Sequence, residues 1–298
     1  MRAPLGLALI VFAAVAASIA AGPAGEPAAK AGAARLTARQ IVERIKQNVP
    51  GPWGDATVDT FKAGNPDTEV TGVAVTFMAS LDVLRRAAAA GRNFVITHEP
   101  TFYNHLDKTA ALEGDKVLAE KLAFIEKHGM VVWRFHDHCH SHRPDLINEG
   151  MARKLGWQKF LRPDDGPAVF DLPEATLQSM AAELKAKLGA SVVRVVGKPE
   201  MKVRRVAMLP GAGGSAKQIA MLQRDDVDVV MAGEVPEWET VEYVRDAVAA
   251  GKAKALVLLG HANSEEAGMV YAAEWLKGFV TEAPVEFIPA GDPFWAAK

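Results

Sequence analysis

Cysteine is almost absent from this chain: Cys139 stands alone, so no intrachain disulfide can form. Basic blocks are absent too. With Lys+Arg 34 against Asp+Glu 36 and a formal net charge of −2, nucleic acid is not an electrostatically favoured partner. There is no GxSxG elbow, which argues against an α/β-hydrolase serine, and neither GxxxxGK[ST] nor GxGxxG occurs, which removes the usual phosphate and dinucleotide loops. No internal repeat or heptad pattern is visible. The 298 residues, 49% hydrophobic and 23% charged, have a globular composition.

A single apolar run stands apart. "MRAPLGLALIVFAAVAASIAAG" has a short basic start, apolar residues from Leu5 to Ala17 and small residues before Gly22. That is the layout of a secretory signal peptide over residues 1–21; as an uncleaved anchor the run is short for a membrane span. Residues 22–35, rich in Ala, Pro and Gly, read as a flexible linker. The expected location is extracytoplasmic, a bacterial periplasm, with no membrane association after cleavage. A free thiol in such a compartment is expected to be buried or metal-bound.

Past the linker, strand and helix signals alternate. "TARQIVERIKQNV" predicts a helix capped by Thr37, with Ile41, Val42 and Ile45 on one face. "VTGVAVTF", a helix over "SLDVLRRAAAAG" capped by Ser80, and "NFVIT" form a strand-helix-strand unit, hence a parallel pair. The pattern continues through "MVVWRF", "VRRVAMLPG", "DVVMAGEV" and "KALVLLG", with the short strand "VEFIPAG" near the end. "LPEATLQSMAAELKAKLG" reads as an amphipathic helix and "SVVRVVG" as a strand. The expected fold class is α/β, with two lobes of mostly parallel sheets flanked by helices and a metal site between them. The lobes are expected over residues 36–161 and 201–298, joined by a small α/β connector over 162–200.

Polar residues gather where strands end, the usual place for ligands in such folds. "VIT" runs into His98-Glu99-Pro100, "WRF" into His136-Asp137-His138-Cys139-His140-Ser141-His142, and "LVLLG" into His261 with Glu265 four residues on; "MAG" leads to Glu234. A lone strand-end histidine is ordinarily a hydrogen-bonded structural residue. His128 before a glycine at a helix end fits that reading, and so does His105 in a loop. The cluster at 136–142 differs, holding four of the eight histidines in alternation. On an extended backbone His136, His138 and His140 would share a face, although a solvated polar loop has the same composition. Glu265 in a first helical turn is also what the helix dipole favours. Three such groups from distant parts of the chain suggest a shared divalent cation, and imidazole with carboxylate suits Zn²⁺, Mn²⁺ or Fe²⁺. "PGAGGS" is expected to be a plain tight turn rather than an anion cradle at a helix start. Cys139 beside histidines is a weaker candidate for a thiolate nucleophile.

"VITHEP", "GAGGS", "DVVMAGEVPEWET" and "LGHANSEEAGM" resemble, in order and spacing, the Nif-three-like family of dinuclear-metal proteins, some of which are labelled GTP cyclohydrolase I type 2. The resemblance covers nearly all of the chain after the linker, and "GHxxSE" is its most specific part. It implies that His98, His261 and Glu265 hold two divalent transition metals, within a toroidal homohexamer. The family's Thr-His-His-Pro appears here with Glu99 in place of the second histidine. If His136 matches its post-strand histidine, His140 stands where an aspartate is expected, so an imidazole and a carboxylate have traded places. The competing alignment gives the aspartate role to Asp137 or Asp145. The implied chemistry is hydrolysis of a small polar, nucleotide-like substrate. Cations about 3.5–4 Å apart would be bridged by Glu265 and a water-derived hydroxide, with Glu234, His138 or Asp137 orienting that water or shuttling its proton. A non-catalytic metal-binding, storage or delivery protein is the alternative.

Overall fold

The computed structural model describes residues 35–163 and 166–297. The expected signal peptide, and all of the expected linker except Arg35, lie outside the described residues. No helix among the described residues is long and apolar enough to cross a membrane.

Helix α1 (Ala38–Asn48) starts at Thr37, whose hydroxyl accepts from the Gln40 N–H while the Gln40 side chain returns to the Thr37 N–H. This reciprocal capping satisfies two otherwise orphaned donors. The helix buries Ala38, Ile41, Val42 and Ile45. Strands β1 (Phe61–Ala63) and β2 (Val73–Thr76), helix α2 (Leu81–Ala89) and strand β3 (Phe94–Thr97) follow. Helix α3 (Lys116–Lys127), strand β4 (Val131–Arg134), and helices α4 (Asp137–Ser141) and α5 (Leu146–Leu155) complete the first half. The second half runs β5 (Val169–Thr176), α6 (Leu177–Leu188), β6 (Arg194–Val196), β7 (Lys202–Leu209), α7 (Ser215–Gln223) and β8 (Val229–Ala232). A π-helical turn (Glu237–Val241) leads into α8 (Glu242–Ala249), followed by β9 (Ala255–Leu258), α9 (His261–Lys277) and β10 (Val285–Phe287).

The strands form two five-stranded sheets, ordered β1-β4-β3-β2-β10 and β5-β7-β8-β9-β6. In the first, only the β1–β4 pairing is antiparallel. In the second, the central β7-β8-β9 are parallel and both edge strands antiparallel. The expected α/β class is what the chain adopts. Central strands β2, β3, β4, β8 and β9 are buried at every residue, as a sheet covered by helices on both faces requires. Each fully buried Val, Leu or Ile there contributes roughly 1.5–3 kcal/mol.

Three local expectations change. Sheet membership does not follow chain order: β10, from the last segment, is an edge of the first sheet, while β5 and β6, from residues 162–200, edge the second. The link is α9, whose 17 residues span about 25 Å. "LPEAT" continues strand β5, and the helix begins only after Thr176, whose side chain caps it. Most consequentially, residues 137–141 are helical rather than extended.

Helices α5 and α9 cross backbone to backbone. A Cβ on Gly150 would meet the Ala267 carbonyl oxygen at 2.3 Å, and one on Gly268 would meet Ile147 Cα at 2.4 Å. Only glycine fits at that crossing. It brings the carboxyl ends of both sheets' parallel strands to one place.

Candidate metal centre

Each sheet delivers its share of the site from the carboxyl ends of its strands. His98 and Glu99 follow β3, His136 follows β4 and precedes α4, which carries His140, and His261 and Glu265 lie on the first turns of α9 after β9. Because α9 starts at His261 itself, His261 and Glu265 are an i, i+4 pair on one helical face.

Two overlapping sets of potential ligands result. His98, His136 and His140 each have a ligand atom within 4.8 Å of the others', and so do His98, Glu99 and Glu265. Glu265 Oε2 lies 3.5 Å from His98 Nε2 and 3.1 Å from His261 Nε2. Glu99 Oε1 lies 3.6 Å from His136 Nε2 and 3.3 Å from His261 Nε2. Of the sequence candidates, His98, Glu99, His136, His140, His261 and Glu265 are thus brought together.

The imidazoles are oriented from behind. Nδ1 of His98 lies 3.0 Å from the Phe135 carbonyl, and Nδ1 of His136 lies 2.9 Å from Asp137. Nδ1 of His140 is 3.1 Å from Asp145, and that of His261 is 2.9 Å from Glu234. With each Nδ1 engaged by an acceptor, Nε2 is left to face the cluster, which is the arrangement that metal-ligating histidines need. Asp137 and Asp145, both aspartate candidates, are therefore orienting groups here. Asp137 also accepts from the Thr57 hydroxyl and the Val58 N–H, while Asp145 caps α5.

The charge balance fits a cation. Nε2 of His98, Nε2 of His261 and Oε2 of Glu265 are buried without a hydrogen-bond partner of good geometry; left unpaired, such atoms are costly. Burial, with the neighbouring His140 and His136, pushes His98 well below its usual range, so its imidazole is neutral, the form in which a histidine can ligate a metal. Burial opposes the charge on Glu99, yet its contact with His261 and the neighbouring imidazoles hold it at about 2. Burial likewise opposes a proton on His261, but Glu265 and Glu99 push it up to about 11. A proton there answers the same pair of carboxylates that a divalent cation would.

Other candidates lie elsewhere. The expected shared face of His136, His138 and His140 does not form. On a helical turn His136 and His140 project together while His138 turns away. It stacks on Trp53 at 3.5 Å, pairs through Nδ1 with Asp59 at 2.7 Å and accepts the Gly54 N–H through Nε2. Both its nitrogens are committed outside the cluster. Cys139 is wholly buried in the core, and burial pushes its thiol well up, against a thiolate nucleophile. His142 pairs with the Pro144 carbonyl and His128 packs on Phe124 at the end of α3. Glycine-rich "GAGGS" serves close approach: Gly211, at φ +64, leaves no room for a Cβ, which would fall 2.1 Å from Glu265 Oε1.

Two residues that sequence reasoning missed organise the site. Asp59 accepts from the N–H groups of His136, Asp137 and His138, capping α4 from a segment far away in sequence. Arg134, wholly buried at the end of β4, donates to the carbonyls of His98 at 3.0 Å and His105 at 2.5 Å. It also reaches Glu99 at 3.4 Å and Asp107 at 3.7 Å. A lone arginine closing the apolar "VVWR" was the available signal; Asp59, in an irregular stretch, offered none.

Comparison with known proteins agrees with this architecture. SA1388, a Staphylococcus aureus hypothetical protein, superposes with a TM-score of 0.70 at 17% identity, covering 89% of this chain and 100% of its own. A Bacillus cereus protein related to NIF3 gives 0.69 at 15% identity, over 89% and 100%. Reduced HcgD from Methanocaldococcus jannaschii gives 0.62 at 19%, over 86% and 98%. At these identities the likeness is one of fold. No curated protein matches the chain. The model of the Duf34/NIF3 family (NGG1p interacting factor 3) matches residues 55–293, which is most of the chain, and the protein belongs to that family.

Proposed function

We propose that this protein is an exported dinuclear-metal hydrolase acting on a small polar substrate, a nucleotide-like ring being one candidate. The observation that carries this reading is the convergence of His98 Nε2, His261 Nε2 and Glu265 Oε2, buried and without a hydrogen-bond partner of good geometry, while each imidazole's other nitrogen is held by an acceptor. His98, Glu99, His136, His140, His261 and Glu265 would hold two divalent transition metals, Zn, Mn or Fe. Such cations supply Lewis acidity and bring a water's pKa toward neutrality. The chain supplies the rest. Glu234 is exposed at the His261 edge and is the carboxylate placed to hold or pass a proton there. Arg134 and Asp137 fix the ligands from behind.

Export follows from the leader read at residues 1–21, and we assign the protein to the periplasm. A homo-oligomer, a hexamer by family resemblance, completes the proposal. GTP is scarce outside the cytoplasm, so the substrate sought is another small polar molecule.

A second reading, metal storage or delivery without catalysis, is favoured by burial: His98 is 0% and Glu265 2% exposed, which leaves only the partly exposed edges of His136, His140 and His261 open. Elemental analysis of the mature protein, followed by assay of hydrolysis on a substrate panel with added Mn²⁺ or Zn²⁺, separates the two. Bound metal with turnover supports the hydrolase. Bound metal that exchanges rapidly without turnover supports the second reading. Absence of transition metal after mild purification, with none taken up on addition, overturns both.

A further inference from the structure

The two overlapping ligand sets differ in chemistry, and carboxylates mark the boundary between them. On one side stand only imidazoles: His98, His136 and His140. Glu265 lies between His98 and His261, and Glu99 between His136 and His261. His98 has one free nitrogen to give, because Nδ1 is taken by the Phe135 carbonyl. The corner beyond the carboxylates therefore has a single imidazole, His261, and two oxygen donors. Exposure does not divide the two sides: the His136, His140 and His261 side chains are 21%, 31% and 23% exposed, while His98, Glu99 and Glu265 are buried.

We infer that the centre is two-sided and takes two different metals: an imidazole-rich position that selects Zn²⁺, and a carboxylate-rich position that takes a harder cation such as Mn²⁺. The inference rests on the proposed metal centre and goes beyond it. Imidazole donors suit zinc, while carboxylate and water suit manganese. Zinc outbinds manganese at most sites of mixed donors, so the distinction emerges when zinc is limiting. The exchange of a carboxylate and an imidazole between Glu99 and His140 is what divides the donors this way: with an acidic residue at 140 and a histidine at 99, each side would hold both kinds.

The test uses full-length mature protein, stripped with a chelator and given one equivalent of Zn²⁺ with a large excess of Mn²⁺, then desalted. Elemental analysis is expected to find one zinc and one manganese per chain, with the paramagnetic resonance signal of isolated Mn²⁺. His140→Ala is expected to weaken zinc retention by at least about tenfold while manganese stays, and Glu99→Gln to do the reverse. Coupled manganese pairs in the wild type, or both metals lost together in each variant, overturn the inference while leaving a metal centre. Wild-type protein that takes up neither metal overturns the metal centre itself. The resonance signal is read on the wild type, so the inference stays refutable if a variant fails to fold.

Discussion

Replacing Arg134 with leucine is the sharpest probe of how this site is held. The guanidinium is completely buried and joins two carbonyls, from His98 and His105, to two carboxylates, Glu99 and Asp107. Its loss orphans both carbonyls, at ~1–3 kcal/mol each, and leaves buried anions with less countercharge, a change that in comparable pairs costs about 3–5 kcal/mol. These contributions overlap. Asp107 retains Lys62 at 3.2 Å and Glu99 retains His261, so the expected total for Arg134→Leu is about 4 kcal/mol, a large share of an ordinary domain's stability. Arg134→Lys keeps the charge but not the fork, and should lose roughly half as much. The assay is equilibrium urea unfolding in the presence of a chelator, so that bound metal contributes nothing. A loss below about 1 kcal/mol, the behaviour of an exposed ion pair, would refute the argument that Arg134 anchors the cluster.

Gly211→Ala puts a methyl group onto Glu265 and strains a left-handed backbone, so bound metal should fall sharply at a stability cost of about 1–3 kcal/mol; full metal content by elemental analysis would contradict the packing. Cys139 should resist iodoacetamide in the native protein and react on unfolding, as mass spectrometry would record. Arg44 makes a paired contact with Glu282 that lowers the glutamate to about 2. A lowered carboxyl stabilises above its ordinary pKa and loses that contribution as pH falls. Arg44→Met should therefore cost at most about 1 kcal/mol at neutral pH, and the gap from wild type should close between about 4.5 and about 2; a gap independent of pH would sink this.

The strands were legible because burial writes itself into composition: "FVIT", "VVWR" and "ALVL" are apolar runs bounded by turns, and all are buried strands. Helix starts were legible where the cap is local, as at Thr37 and Ser80. Residues 136–140 were not, because the group that caps α4 is Asp59, whose carboxylate lies 77 residues before His136. The alternating histidines looked strand-like on spacing alone, and only that distant cap turns them into a helical turn and separates His138 from its neighbours. The pairing of β10 with β2 was hidden for the same kind of reason: the apolar run is visible, but its partner is set by where α9 ends. At the centre the ligand types could be read, while the orienting contacts of Asp137, Asp145 and Arg134 belong to the tertiary structure.

The placement of β10 has a consequence for truncation. The first sheet draws four of its strands from residues 61–134, and its outer edge from Val285–Phe287, which follows α9 with His261 and Glu265. A chain stalled or clipped before Val285 would present β2 with a bare flank, open to pairing with another molecule. An intact edge on the first sheet thus depends on the segment that follows α9.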